Sequence, residues 1–311
     1  MGIDKYSGNY TYCGTYALFD CFLKQTNVSM NQFEILTSVP FGVVHNNEYA
    51  HRIISPYCDP SEGMKKAAQI LNLEYTSLEI EDSSEAYDIL VKQLAHGAVV
   101  LGPLNMGKLD YFAKPSIYDK VPHYIAVYKY EQGRFYVNDS EGLIGYYIPE
   151  DEIMKAWESS DLYETKHAYN LKYVTQNKAL ASEEERIHRT LSNITDNLLN
   201  AKKEEQGPQA FLKLWETLEN SGNQFYNNLF FDLEIFIQRK YLLLEFLEWA
   251  DAKVGLLKKK ELEHIATQQI LNASKINYSI RRKKNLSSKE FFELSHKEDE
   301  LTAIFKERYK K

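Results

Sequence analysis

The chain has 311 residues, a length that suits two domains and a substantial core. Hydrophobic residues make up 44% and charged ones 26%, which excludes wholesale disorder, and a net charge of −7 argues against a general nucleic-acid binder. Three cysteines are too few for a secreted disulfide framework. The opening residues MGIDKYSGNY hold no apolar signal core, and Tyr6 stands where a myristoylation pattern needs Ser or Thr. The most apolar stretch, Phe225 to Ala250, is broken by six charges, so a cytoplasmic protein that crosses no membrane is expected.

Cys13 to Gln25 reads as a helix, with Gly14, Ala17, Leu18, Cys21 and Phe22 on one stripe. Helix-compatible runs follow at Asn31–Leu36 and Gly63–Leu71, then a strand at Leu73–Ile80 and a helix at Ser84–His96 ended by Gly97. Ala98–Leu104 is a short apolar strand. His123–Tyr130 and Arg134–Asp139 form a hairpin across Glu131-Gln132-Gly133. Leu143–Ile148 is a further strand, with a helix from Pro149 to Trp157 and a last strand at Tyr169–Val174. A helix followed by consecutive strands is an α+β order.

Composition changes near residue 175. Of 14 glycines 11 precede it, and residues 1–175 carry 14 Lys and Arg against 23 Asp and Glu, while the remainder carry 23 against 21. The second part reads as helices at 182–203, 208–220, 223–252, 257–283 and 287–309, two of them opened by the capping boxes Ser182–Glu185 and Ser287–Glu290. Two domains are therefore expected, 1–175 and 176–311, the second an all-helical bundle.

Cys13 follows a polar, aromatic loop and opens a helix, where free N–H groups and the dipole favour a thiolate. Gly14 leaves room beside the sulfur. The bland alternative is a small buried hydrophobe. A nucleophilic thiol wants a base and a group that orients that base. His123 and Asp139 are the candidates. With three turn residues, Tyr130 pairs with Arg134 and Asp139 with Ile125, so His123 and Asp139 share a face as diagonal neighbours. Otherwise they are a surface His and a turn-forming Asp.

A cysteine at the start of the first helix, then His on one strand and Asp on the next, is the papain-like order. Tyr12-Cys13-Gly14-Thr15, Asp59-Pro60 with Gly63-Met64, Pro122-His123-Tyr124-Ile125-Ala126-Val127 and Tyr136-Val137-Asn138-Asp139 resemble the butirosin biosynthesis protein H family. That family is related to papain-fold peptidases that cleave double-glycine leaders, and the resemblance covers about residues 1–175. Within it the chain looks most like the amide synthases of closthioamide biosynthesis.

The resemblance implies a papain-like fold and acyl transfer from a carrier-protein thioester to an amine. Cys13 is then the nucleophile, His123 the base and Asp139 the orienter. It implies no bound cofactor, a donor carried on the phosphopantetheine of an acyl or peptidyl carrier protein, and a small amine acceptor such as 1,3-diaminopropane. Its donor is a p-hydroxybenzoyl-oligo-β-alanyl chain. One departure stands out: papain-like peptidases place an oxyanion-hole Gln where this chain has Ser7, and Asn9 is the nearest substitute.

Tyr12, Gly14, Asp59 and Asp119 are candidate substrate contacts, with Glu62 and Asp110 as further loop carboxylates for an ammonium group. Lys258, Lys259, Lys260, Arg281 and Arg282 are candidate docking cations for an acidic carrier protein, against the plainer reading of solvated helix ends. His45 and His51 lack zinc-ligand spacing, and no Gly-rich phosphate loop occurs. Peptidase or thioesterase activity on the same residues, and a non-catalytic binding module, are the competing expectations.

Overall fold

The computed structural model describes residues 13–22, 27–45, 53–54, 60–112, 118–141, 143–159, 162, 168–199, 206–221 and 226–309. In chain order its elements are α1 (Cys13–Phe22), α2 (Met30–Leu36), β1 (Val44–His45), β2 (Ile53–Ile54), α3 (Pro60–Ile70), β3 (Glu74–Ile80), α4 (Ser83–Leu94), β4 (Val99–Asn105), β5 (Pro122–Glu131), β6 (Arg134–Asp139), β7 (Leu143–Pro149), α5 (Glu150–Trp157) and β8 (Tyr169–Thr175). The helices α6 (Glu183–Leu199), α7 (Pro208–Ser221), α8 (Tyr226–Val254), α9 (Lys259–Arg281) and α10 (Ser288–Arg308) follow. The architecture is α+β. The chain divides into two compact units, Met1–Phe33 with Asp59–Leu180 and Glu34–Cys58 with Ala181–Lys311. This division differs from a single cut near 175 in giving segment 34–58 to the helical unit.

The first unit is built on a six-stranded antiparallel sheet in the order β3-β8-β4-β5-β6-β7. The apolar run of β4 is buried along its whole length, as suits a central strand. Ala86 and Leu90 of α4, with Ile153, Ala156 and Trp157 of α5, pack with Leu101, Ile125, Val127, Phe135, Val137 and Leu171 in one core. The Trp157 indole donates to the Asn170 carbonyl at 2.8 Å, so this buried ring leaves no orphan polar group. α1 packs against β4 and β5, and that contact carries Cys13 to the sheet.

The β5–β6 turn differs from the expected one. Glu131 pairs with Arg134, leaving only Gln132 and Gly133 between them, with φ of 52° and 74°. Two positive φ values are the signature of a tight type I′ turn, which suits the twist of a hairpin. That turn alone would set even residues opposite odd ones. A bulge then inserts Tyr128 between the Val127–Val137 and Lys129–Tyr136 pairs, and Ala126 pairs with Asn138. The bulge restores the parity that places His123 and Asp139 on one face.

In the second unit, α6, α8, α9 and α10 bury Ile187, Leu191, Leu243, Phe246, Ile265 and Phe305 together with Ile35 and Phe41. Phe41 lies 6.1 Å from the Phe246 ring, and Asn197 donates to the Ser38 carbonyl at 2.8 Å, which is why segment 34–58 belongs here. Ser182 caps α6 by accepting from the Glu185 N–H at 3.2 Å. Ser287 caps α10 through Lys289 N–H, one residue earlier than a capping box requires. No helix among the described residues is long and apolar enough to cross a membrane.

Glu298 of α10 is fully buried, and its Oε2 accepts from Lys240 of α8 at 3.2 Å and from Gln269 of α9 at 2.7 Å. Its Oε1 has no hydrogen bond. Stranding one member of such a pair costs more than replacing both by apolar groups. Lys240→Met alone is therefore expected to lose about 3–5 kcal/mol, and Lys240→Met with Glu298→Leu far less. Urea unfolding of both variants checks this, and a single variant as stable as the wild type would refute it.

Candidate active site

Cys13 is the first residue of α1 and is half-buried, so its sulfur stands among the unsatisfied N–H groups of a helix start and remains reachable. His123 is the second residue of β5, 3% exposed, and Asp139 ends β6, 0% exposed. The His123 Nε2 donates to both Asp139 oxygens, at 2.9 Å to Oδ1 and 2.8 Å to Oδ2. The Cys13 thiol lies within hydrogen-bonding reach of the same ring. With Nε2 committed to the carboxylate, Nδ1 is the nitrogen left for sulfur.

Burial by itself would favour neutral His123. Burial is the largest single influence, but the charge of Cys13 and the hydrogen bond and charge of Asp139 together exceed it, and the imidazole is pushed up to about 10. Burial likewise opposes the charge of Asp139, yet the His123 charge and hydrogen bond, with donation from Tyr111 and the Glu141 N–H, hold the carboxyl below its ordinary value. The arrangement thus keeps a proton on His123 and a charge on Asp139.

Local structure explains how the pair is held. Asp139 accepts from the Glu141 N–H at 2.9 Å, an Asx-type turn at the strand end. One residue earlier, Asn138 donates to Asp20 of α1 at 2.6 Å and accepts from the Gly145 N–H at 2.8 Å, so α1 is tied to β6 beside the acid. Asn105, fully buried at the end of β4, accepts from the N–H groups of Gly107 and Lys120, both at 3.0 Å. It thereby pins both ends of the loop that precedes β5. That loop carries Tyr111, Phe112 and Tyr118. Phe112 meets His123 edge-on at 6.0 Å and Tyr118 at 5.2 Å. No local pattern marks Asn105, Tyr111 or Asp20, and Asn138 enters the sequence only as the neighbour of Asp139.

Of the other expected residues, Asn9, Tyr12 and Asp59 lie outside the described residues, as do Ser7, His51 and Cys58. Gly14 is buried in the first turn of α1. Asp119 accepts from the Asn105 amide at 3.1 Å, a tie within the loop. Glu62 pairs with Lys65 at 3.8 Å, and the Asp110 N–H donates to Glu152 at 2.8 Å. Burial, then Asp20, pushes the Cys21 thiol up, the wrong direction for a nucleophile. His45 is buried in the second unit with Nε2 3.4 Å from the Thr217 hydroxyl.

The five docking candidates are on the second unit, and three are already paired within it. Lys258 meets Glu261 at 3.1 Å, Lys259 meets Glu248, Asp251 and Glu263 at 2.9, 3.3 and 3.5 Å, and Arg281 binds Glu234. Arg282 lies over the Tyr278 ring at 5.7 Å, and Lys260 is exposed. Among the described residues no three His, Cys, Asp or Glu side chains converge on a point that would hold a metal ion.

A thiol, an imidazole and a buried carboxylate thus stand in this order along the first unit. Residues 32–140 match the family model described as Butirosin biosynthesis protein H, N-terminal. The match contains His123 and Asp139 and starts after Cys13. The chain is also 31% identical over 154 residues to the uncharacterized protein YobF of Bacillus subtilis (strain 168), covering 49% of this chain and 48% of that protein. The chain thus spans about half the length of the curated relative it matches.

Proposed function

We propose that the first unit is a papain-like cysteine acyltransferase that forms amides in a biosynthetic pathway of the butirosin type. The observation that carries this reading is the His123 ring, held by the buried Asp139 on one nitrogen and within hydrogen-bonding reach of Cys13 at a helix start. The match of residues 32–140 to a family model named for butirosin biosynthesis supports a biosynthetic role.

Cys13 sulfur attacks the carbonyl of a carrier-bound thioester. The carbon–sulfur bond to phosphopantetheine breaks, and the departing thiol takes the His123 proton. A primary amine then attacks the Cys13 thioester. A carbon–nitrogen bond forms, the bond to Cys13 breaks, and His123 takes the proton of the amine. Thioester exchange is nearly isoenergetic and amide formation drives the sequence, so no nucleotide is consumed. In this reading backbone N–H groups at the start of α1 stabilise the oxyanion, and Asn9 is the proposed side-chain donor. The donor is an acyl or peptidyl chain on a carrier protein, and the acceptor is a small amine such as 1,3-diaminopropane, as in closthioamide-type amide synthesis. Among the described residues, Lys260 and Arg282 are the docking cations with no carboxylate in salt-bridge range.

The test is intact mass after incubation with an acylated carrier protein, with and without diamine. The expected result is an acyl adduct on the wild type, none on Cys13→Ala, and release as amide when diamine is added. Release as free acid with diamine present would replace this reading by a hydrolase. Binding of the carrier protein by wild type and Cys13→Ala alike, with neither adduct nor turnover, would replace it by a binding module.

A further inference from the structure

Tyr111 lies in the loop before β5, outside the Cys13–His123–Asp139 set, yet its hydroxyl donates to Asp139 Oδ2 at 2.5 Å. The carboxylate therefore has a donor on each side. His123 Nε2 and Tyr111 share Oδ2, while the Glu141 N–H holds Oδ1. An aspartate turns easily about χ2, so several donors hold its carboxylate in the plane of an imidazole more firmly than one does. The Tyr111 ring is itself clamped, by Phe112 at 4.7 Å and by Tyr146 of β7 at 5.7 Å.

We propose that Tyr111 is a positioning residue that locks the Asp139 carboxylate onto His123 and so keeps His123 protonated beside Cys13. The inference deepens the acyl-transfer reading and rests on it. Burial, followed by the charge of Asp139, pushes the Tyr111 hydroxyl far up, so it stays a donor at every working pH. The titratable groups around the pair are Cys13 from α1, Asp139 from β6 and Tyr111 from the loop. Glu141, just past β6, and Glu152 of α5 act on Tyr111 from farther off.

The experiment is the pH profile of Cys13 alkylation by iodoacetate, read by peptide mass at Cys13, for wild type, Tyr111→Phe, Tyr146→Phe and His123→Ala. It needs no substrate. Iodoacetate is an anion that the imidazolium draws in, so the alkaline limit of its fast window reports loss of the His123 proton. Tyr111→Phe keeps the ring and removes the donor, so this limit is expected to fall by about one pH unit, within the range an aligned opposite charge contributes. Tyr146→Phe removes a hydroxyl from the same aromatic cluster and is expected to leave the profile in place. Circular dichroism establishes that each variant is folded. A Tyr111→Phe profile that overlays the wild type, or moves to higher pH, would overturn the inference while leaving the Cys13–His123 pair standing. A His123→Ala profile that overlays the wild type would instead remove the reading on which it rests.

Discussion

His123→Ala is expected to slow acylation of Cys13 by about 10²–10⁴-fold, the usual contribution of a positioned acid–base group. In the proposed reaction the ring does two jobs: it gives a proton to the departing thiolate and takes one from the amine. Its titration should be visible by NMR, with the imidazolium persisting to about pH 10 in the wild type. Cys13→Ala removes the largest cause that raises it and should bring the titration down towards 6.5.

Stability follows with a definite sign. A folded value raised from 6.5 to about 10 means that the contribution of His123 is complete below pH 6.5 and is lost as pH rises through about 10. For Asp139, depressed below 3.8, the contribution is present above that value and is lost as pH falls through the folded one. The Tm advantage of wild type over Cys13→Ala should therefore shrink between pH 7 and pH 10. An advantage that stays constant across that range, with His123 titrating near 6.5, would contradict the charged pair.

Gly102→Ala is expected to cost about 4 kcal/mol and to displace His123. Gly102 has φ of +142°, and with Pro103 it stands opposite the single residue Tyr124, between the Leu101–Ile125 and Leu104–His123 pairs. A Cβ at Gly102 would meet the His123 carbonyl oxygen and the Tyr124 ring, each at 2.6 Å. The first neighbour is backbone and cannot swing aside. The conformation is also one that L residues avoid, so strain and overlap add. Gly133→Ala is the control: its φ is +74° in the β5–β6 turn, but nothing lies within 4 Å of the added carbon. It should cost only about 1 kcal/mol. Thermal unfolding and Cys13 alkylation rates of the two variants separate these outcomes. Equal losses would show that the close approach at Gly102 carries no weight.

Much of this protein was legible one element at a time. Helix periodicity located Cys13 at the head of α1, and alternation located His123 and Asp139 on neighbouring strands, because those signals reside in the pattern that one face must bury. The face shared by His123 and Asp139 came out as expected by a different route. The turn is one residue shorter than read, and the Tyr128 bulge compensates. A bulge reflects the pleat of the partner strand, so nothing in Tyr128 announces it.

The last strand in chain order, β8, inserts between β3 and β4, and segment 34–58 joins helices more than a hundred residues away. Tyr111 reaches Asp139 from a loop whose two ends Asn105 ties, through the N–H groups of Gly107 and Lys120. The sequence by itself determined which stretches are helix or strand and which residues have the chemistry, since both are properties of a short window. Only the tertiary structure decided which of those residues meet, because strand insertion, bulges and loop closure depend on contacts between distant segments that no local pattern encodes.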